Sequence, residues 1–140
     1  MTQRMPDLDW RHPQYQRWRN LNNDDRSAYM QEWRKIGDEK GFYVPTICDR
    51  WRGDGYQDDG FKNFVSDIGD PPPGKTVLAR HNLAQDWKPS NVYWTTRREV
   101  FILNKTRPIG WRAWAPKEMV EKIDKQMLSE ALEAARKFKI

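Results

Sequence analysis

The residues best equipped for chemistry in this chain are cations. Between positions 71 and 115 it carries eight Lys and Arg (Lys75, Arg80, Lys88, Arg97, Arg98, Lys105, Arg107 and Arg112) against two acids, Asp86 and Glu99. Residues 1–70 hold 11 basic and 13 acidic side chains, and residues 116–140 hold six and five, so the net charge of +5 resides in the middle segment. A local field of that sign attracts phosphate backbones, through long-range attraction and counterion release. Trp87, Tyr93, Trp94, Trp111 and Trp114 lie in the same stretch and strengthen the expectation of nucleic-acid contact. Other reactive groups are few. Cys48 is the only cysteine, which excludes an internal disulfide and any multi-cysteine zinc site. It reads as a small buried hydrophobe. The acidic stretch 53–60 (GDGYQDDG) reads as a flexible loop, and it lacks the spacing and closing Glu of a calcium-binding EF-hand.

The elements that must position these groups follow from periodicity and caps. Residues 12–21 put Tyr15, Trp18 and Leu21 at helical spacing, and Asn22, Asn23, Asp24 and Asp25 supply a loop and an N-cap. A second helix runs to about Lys40, with Tyr29, Met30, Trp33 and Ile36 on one face and Gly41 past its end. Residues 42–47 read as an extended segment leading to Cys48 and Trp51. Phe61, Phe64, Val65 and Ile68 follow the i, i+3, i+4, i+7 pattern of a one-face helix, ended by Gly69 and the prolines after it. Residues 76–80 and 92–95 read as two strands separated by an excursion. Thr96 and Glu99 form a capping box that opens a helix over 97–105, with Val100, Phe101 and Leu103 as packing candidates. Pro116 starts a long helix to about Phe138. Its seam of Val120, Ile123, Met127, Ala131, Ala134 and Phe138, widened by Leu128, Leu132 and Ala135, must cover its own core or a partner.

These elements make an α+β fold: a small helix-rich domain over 1–115, containing a hairpin-helix (ββα) unit after N-terminal helices, and a C-terminal amphipathic helix over 116–140. The apolar fraction is 37%, but eight Trp, five Tyr and five Phe supply core area that disordered chains lack. No run of 18 apolar residues is present and the opening MTQRMPDLDW has no signal-peptide stretch, so a protein without a membrane span, inside a cell, is expected.

Several phrases, in order, resemble a phage HNH-endonuclease-like (ββα-metal) family. They are His12-Pro13-Gln14-Tyr15; Ile47-Cys48-Asp49-Arg50-Trp51; Phe61 and Phe64 with Asp67-Ile68-Gly69, Pro72 and Gly74; and the run from Pro89-Ser90-Asn91 through Trp94-Thr95-Thr96 to Glu99. Together they cover residues 12–107. The resemblance implies a divalent ion held between the first strand and the helix, a His that activates water, and a hairpin Asn that orients base and loop. Asn91 stands at that Asn position. An ungapped count back from it puts Ala79 where the family has its metal-binding Asp and Asn82 where it has the second. His81 lies one residue past the base, which turns it to the opposite face unless a bulge corrects the register. Val100, Ile102 and Leu103 replace the helix's polar positions, leaving Asn104 as the first polar group.

The resemblance thus leaves two readings open. One is a catalytically impaired HNH-fold protein, without a metal, that binds DNA through the basic strip or serves as a phage-particle assembly component. On this reading its partners are DNA, phage structural proteins, or a second copy through 116–140. The other is an active Mg²⁺- or Mn²⁺-dependent endonuclease or nickase of homing type, with His81, Asn91 and Asn104 as its catalytic group. Without a strand carboxylate such a group would hold Mg²⁺ weakly. Either reading places the protein in the infected host's cytoplasm or in the virion. RNA binding through stacked aromatics is a third expectation, with no RNA-recognition motif to support it.

Overall fold

The structure, a computed structural model, describes residues 8–137. Its elements are α1 (Tyr15–Asp25), α2 (Ala28–Lys40), α3 (Asp59–Ile68), β1 (Val77–Arg80), β2 (Val92–Thr95), α4 (Arg97–Asn104) and α5 (Lys117–Lys137), with single 3₁₀ turns at Asp49–Trp51, Pro89–Asn91 and Gly110–Ala113. The fold is α+β, with a two-stranded antiparallel sheet and a long C-terminal helix. None of the described helices is long and apolar enough to cross a membrane.

The core is aromatic because the sequence offers little else large enough to fill it. Tyr15 and Trp18 of α1, Ile47, Trp51 of the first 3₁₀ turn, Phe61 and Phe64 of α3, and Leu78 of β1 form one buried cluster. Trp18, Trp51, Phe61 and Phe64 are fully buried. Phe64 meets Trp51 edge-on at 5.0 Å between ring centroids, and Phe61 meets Tyr15 edge-on at 5.1 Å. Edge-to-face pairs of this kind add about 0.5–1.5 kcal/mol each beyond the area they bury.

A buried indole also needs an acceptor for its N–H. Trp18 Nε1 donates to the Trp51 carbonyl oxygen at 2.7 Å, and Asn22 Nδ2 donates to the same oxygen at 3.2 Å. Trp51 Nε1 in turn donates to Asp67 Oδ2 at 2.8 Å, where Arg50 closes a two-pronged contact at 2.7 and 3.0 Å. One tryptophan thereby ties α1 and α3 together through both its backbone and its ring. Hydrogen bonds from Arg50, and then from Trp51, hold the Asp67 carboxyl below its usual value of 3.8.

The first loop departs from the expectation raised by Asn22, Asn23, Asp24 and Asp25. These residues continue α1 instead of ending it, and Ser27 caps α2 by accepting the Met30 N–H at 3.2 Å. The reason is tertiary. Asn22 is buried and spends its amide on Trp18 O, Trp51 O and the Gly53 N–H. Asp25 Oδ1 accepts from Arg34, from the Thr46 hydroxyl and from the Ile47 N–H. The helix start also moves, from residue 12 to Tyr15, because His12 Nδ1 accepts the Gln14 N–H at 3.1 Å in a turn preceding the helix. His12 is therefore a buried helix-start residue.

The expectation for α2 holds at its C-terminal end. Gly41 ends it in the left-handed region at φ 81°, where a side chain would be strained. Tyr29 turns to solvent, whereas Trp33 stacks on Trp111 at 5.6 Å and meets Trp114 edge-on at 5.0 Å. The Trp111–Trp114 turn is accordingly half-buried against α2. Helix α5 rests on the domain only at its start. Met119, Val120 and Ile123 are half-buried and every residue over 124–137 is exposed, so of the two coverings expected for the seam, its own core or a partner, the domain supplies the first only at the start of the helix. Phe138 lies outside the described residues.

Two outcomes test this account of the core. Asp67→Asn removes the charge that accepts from Arg50 and Trp51, and should lower stability at pH 7 by about 1–3 kcal/mol in urea unfolding. Because the folded carboxyl titrates below its unfolded value, its contribution is full above that value and disappears as pH falls through the folded one. The variant's acid limb should therefore be flatter than the parent's. Gly60→Ala should cost about 1–3 kcal/mol in the same measurement, since its new methyl would collide with the Arg52 carbonyl.

Candidate functional site

The hairpin stands between the aromatic core and α4. Its register runs from Val77 opposite Thr95 to Arg80 opposite Val92, and the ladder continues with the His81 N–H donating to Asn91 O at 2.9 Å. Leu78 belongs to the buried core, against which Val92 and Trp94 also pack. Side chains alternate across a strand, so Val77, Ala79 and His81 share the other face, toward α4. Trp94 Nε1 donates to Ile68 O at 2.9 Å, and the Arg17 guanidinium sits 5.0 Å over its ring, fixing β2 to both α3 and α1.

Asn91 holds the excursion between the strands. It is 3% exposed. Its Nδ2 donates to the carbonyls of Asn82 and Asp86, each at 2.9 Å, and its Oδ1 accepts the Asn82 N–H at 3.0 Å. Asn82 Oδ1 accepts the Ala84 N–H at 2.9 Å, a local turn that starts the excursion. Asp86 Oδ1 accepts from the Tyr43 hydroxyl at 2.6 Å and the Thr46 N–H at 2.9 Å, while Trp87 pairs with Ile47 in an isolated parallel bridge. Sequence reasoning missed the Asp86 anchor. Its signal was present but ambiguous, one of two acids in a basic segment. Burial, with the Asp86 hydrogen bond second, pushes the Tyr43 hydroxyl up to about 12.

Helix α4 begins as the capping box requires. Thr96 Oγ1 accepts the Glu99 N–H at 3.1 Å. The reciprocal half differs: the Glu99 carboxylate takes the Thr95 hydroxyl, and that bond leads the Thr96 backbone amide in holding the carboxyl below its ordinary value. Of the three packing candidates only Val100 is half-buried. Phe101 and Leu103 are exposed, as is Ile102. With eight residues the helix turns one face to the sheet, and the adjacent run Phe101–Ile102–Leu103 covers too much of its circumference for all three to bury.

The three candidate catalytic residues are each engaged separately. The His81 ring is exposed and stacks on Tyr93 at 4.3 Å, and no bulge displaces it, because the ladder is continuous through it. Asn91 uses both amide hydrogens on loop carbonyls. Asn104 Oδ1 accepts from Arg107 Nε at 3.1 Å. The cleft between β1 and α4 is lined by Ala79, Leu83, Val100, Asn104 and Arg107 among others, and His81 lines a different depression with Asn82 and Pro108. Among the described residues no group of three His, Cys, Asp or Glu side chains converges as metal ligands do. At the strand position where the family resemblance puts a metal-binding Asp, Ala79 offers a buried methyl. Ala79, His81, Asn91 and Asn104 thus offer no carboxylate to a hard divalent cation at this place.

The basic strip divides. Arg80 turns inward: it lies 4.8 Å over the Trp87 ring and donates to Leu83 O and Gln85 O at 3.2 and 3.0 Å, while its Nε is buried with no hydrogen-bond partner. Burial pushes its guanidinium below the ordinary value. It belongs to the loop and leaves the set of phosphate-contacting candidates. Arg112 pairs with Asp124 of α5, and Arg107 braces Asn104. Lys105 lies over Phe101 at 4.7 Å with its ammonium in solvent. Lys75, Arg97 and Arg98 are exposed, and Lys88 is half-buried. The aromatics of the segment, Trp87, Tyr93, Trp94, Trp111 and Trp114, are half-buried.

Compared with known proteins, the chain matches no family model, no curated protein and no solved structure.

Asn91→Ala should strand the Asn82 N–H and the Asn82 and Asp86 carbonyls, at a cost of about 1–3 kcal/mol, with faster amide exchange confined to 82–90. Asn91→Asp should be worse than Asn91→Ala, because it points a carboxylate at two carbonyl oxygens in a buried site. No loss of stability in either variant would show that the loop does not depend on this amide.

Proposed function

We propose that the chain is a DNA-binding ββα module of HNH type whose remaining activity is contact with the phosphate backbone, not cleavage. The observation that carries this reading is the first turn of α4. Arg97 and Arg98 occupy it side by side, exposed and without an ion pair or hydrogen bond to any described residue. Helix N-termini already carry partial positive charge, so cations there destabilise the helix by a few tenths to about 1 kcal/mol each at low salt. A phosphate at this end reverses the sign of that interaction, since it meets two guanidinium groups and the free N–H groups of the turn together. Lys75 and Lys105 extend the exposed basic surface, and Arg107 is part-exposed.

Support for the non-catalytic half comes from Ala79 and from the engaged amides of Asn91 and Asn104. The likeness to phage HNH proteins rests on ordered sequence phrases, with the hairpin, the Asn-stapled loop and the following helix consistent with it. A role in phage-particle assembly is the second reading, favoured by the exposed Phe101 and Ile102 on α4 and by the bare apolar stripe of α5.

Fluorescence anisotropy on a labelled duplex tests the first reading. Affinity should fall steeply between about 50 and about 200 mM salt. Arg97→Ala with Arg98→Ala should reduce the log–log salt slope by about one per arginine and weaken all sequences alike. A salt-independent response, or no loss in the double variant, would refute phosphate contact and favour the assembly reading. Plasmid nicking with Mg²⁺ or Mn²⁺ that disappears in His81→Ala would instead establish the active nuclease.

A further inference from the structure

The cleft between β1 and α4 holds hydrogen-bond donors that the described residues leave without acceptors. Arg80 reaches it from the end of β1, and Asn104 and Arg107 reach it from the end of α4 and the segment after it. Arg107 spends only its Nε, on Asn104 Oδ1, and its two terminal nitrogens hydrogen-bond no described residue. Arg80 spends only its Nη1, on the carbonyls of Leu83 and Gln85. Its Nη2 is unused, and its Nε is buried without a partner. Arginine has donors alone, so neither side chain can answer the other.

The charges in the cleft are unbalanced in the same sense. Both guanidinium groups stay charged at any working pH. Burial is the main cause that pushes Arg80 below its ordinary value; Asp86 opposes it, and the nearby Arg107 charge adds to it. Asp86 does not line the cleft, and its carboxylate is engaged by Tyr43 and Thr46. No acid lies among the described residues that do line it. An oxyanion between the two cations relieves their repulsion and supplies the missing acceptors, through charge-assisted bonds.

The remaining walls set the rest of the ligand. Ala79, Leu83, Val100 and Ile109 are apolar, and the hollow measures about 260 Å³. An apolar cavity of about 150 Å³ admits benzene, so this one has room for a ring with a charged group attached. A free phosphate would leave those walls bare.

We propose that this cleft binds a small oxyanion carried on an apolar body, a carboxylate or a phosphate monoester, held between Arg80 and Arg107. The inward turn that takes Arg80 out of the DNA-facing strip is what brings it to the cleft. The site is separate from the first turn of α4 and does not rest on the DNA reading.

Benzoate and phenyl phosphate are the probes, titrated into the ¹⁵N-labelled full chain. The amide signals of Ala79, Val100, Asn104 and Ile109 should shift, with a dissociation constant below about 1 mM for one of the two. The tighter probe identifies the anion. Benzyl alcohol, a similar ring without the charge, should bind about tenfold more weakly or worse. Arg107→Gln, at a half-exposed position, should weaken the tighter probe about tenfold with an unchanged far-UV circular dichroism spectrum. Arg97→Ala with Arg98→Ala should leave the probe's affinity unchanged, so that this site and the DNA reading fail separately. Binding by neither probe, shifts confined to 97 and 98, equal binding of benzyl alcohol, or full affinity in Arg107→Gln would each overturn the proposal. Displacement of the probe by duplex DNA would overturn it too, by giving the cleft to the phosphate backbone.

Discussion

The carbonyl oxygen of Trp51 is the point on which the packing of this small domain depends. Two donors from α1 converge on it, the Trp18 indole and the Asn22 amide, and the Trp51 ring behind it is clasped by Phe64 and Asp67 of α3. A core built from indoles must find an acceptor for each N–H it buries, and every such bond fixes direction as well as distance. Aliphatic side chains could fill the same volume with many relative orientations of α1 and α3. Paired indoles admit few. The consequence reaches the hairpin, because Leu78 closes this cluster from β1 and Trp94 hydrogen-bonds the end of α3. The position of β1, β2 and α4 is therefore inherited from the aromatic core.

The same demand explains what the sequence made legible. Helix α3, the C-terminal end of α2, the two strands and the Thr96 cap could be read from periodicity and local chemistry, because each is governed by residues within four positions of one another. The Asn22–Asp25 run could not. Asn and Asp favour caps when their side chains are free to bond nearby backbone, and here Asn22 and Asp25 bond Trp51, Gly53, Thr46 and Ile47 instead. Arg80 shows the same limit for charge. A cation in a basic run reads as surface, yet the loop needs donors for the carbonyls of Leu83 and Gln85, and Trp87 supplies a ring for the guanidinium to lie on. Long-range partners settled these positions, and no local pattern encodes a long-range partner.

At the hairpin the separation between scaffold and chemistry is unusually clear. Asn91 fixes the backbone between the strands with three hydrogen bonds across the 82–91 excursion, and Asp86 ties that excursion to the 42–47 segment. Ala79 and the apolar run of α4 stand beside it without a metal-ligating side chain. An amide that staples a loop is useful whether or not a metal lies nearby, so the loop architecture and a ligand set are separable. Asn91 was legible as a loop residue because both readings gave it that role. His81 was not resolvable, since its face depended on a register that only the ladder to Asn91 determines.

What remains at the site is a placement of charge that folding alone does not favour. Helix α4 has eight residues, little buried area beyond Val100, and two arginines at the end where cations are least welcome. Its one acid in the first turn, Glu99, is occupied with Thr95 and Thr96 and makes no ion pair with either arginine. A helix this short gains little from its own hydrogen bonds, so a penalty of even a few tenths of a kcal/mol per arginine is large relative to its local stability. The sheet beneath must therefore hold α4 in place through Thr95, Val100 and the cap. An anion bound at Arg97 and Arg98 would relieve that penalty. On this argument α4 should be among the elements most stabilised when the protein meets a polyanion, because the free chain leaves its first turn electrostatically unsatisfied.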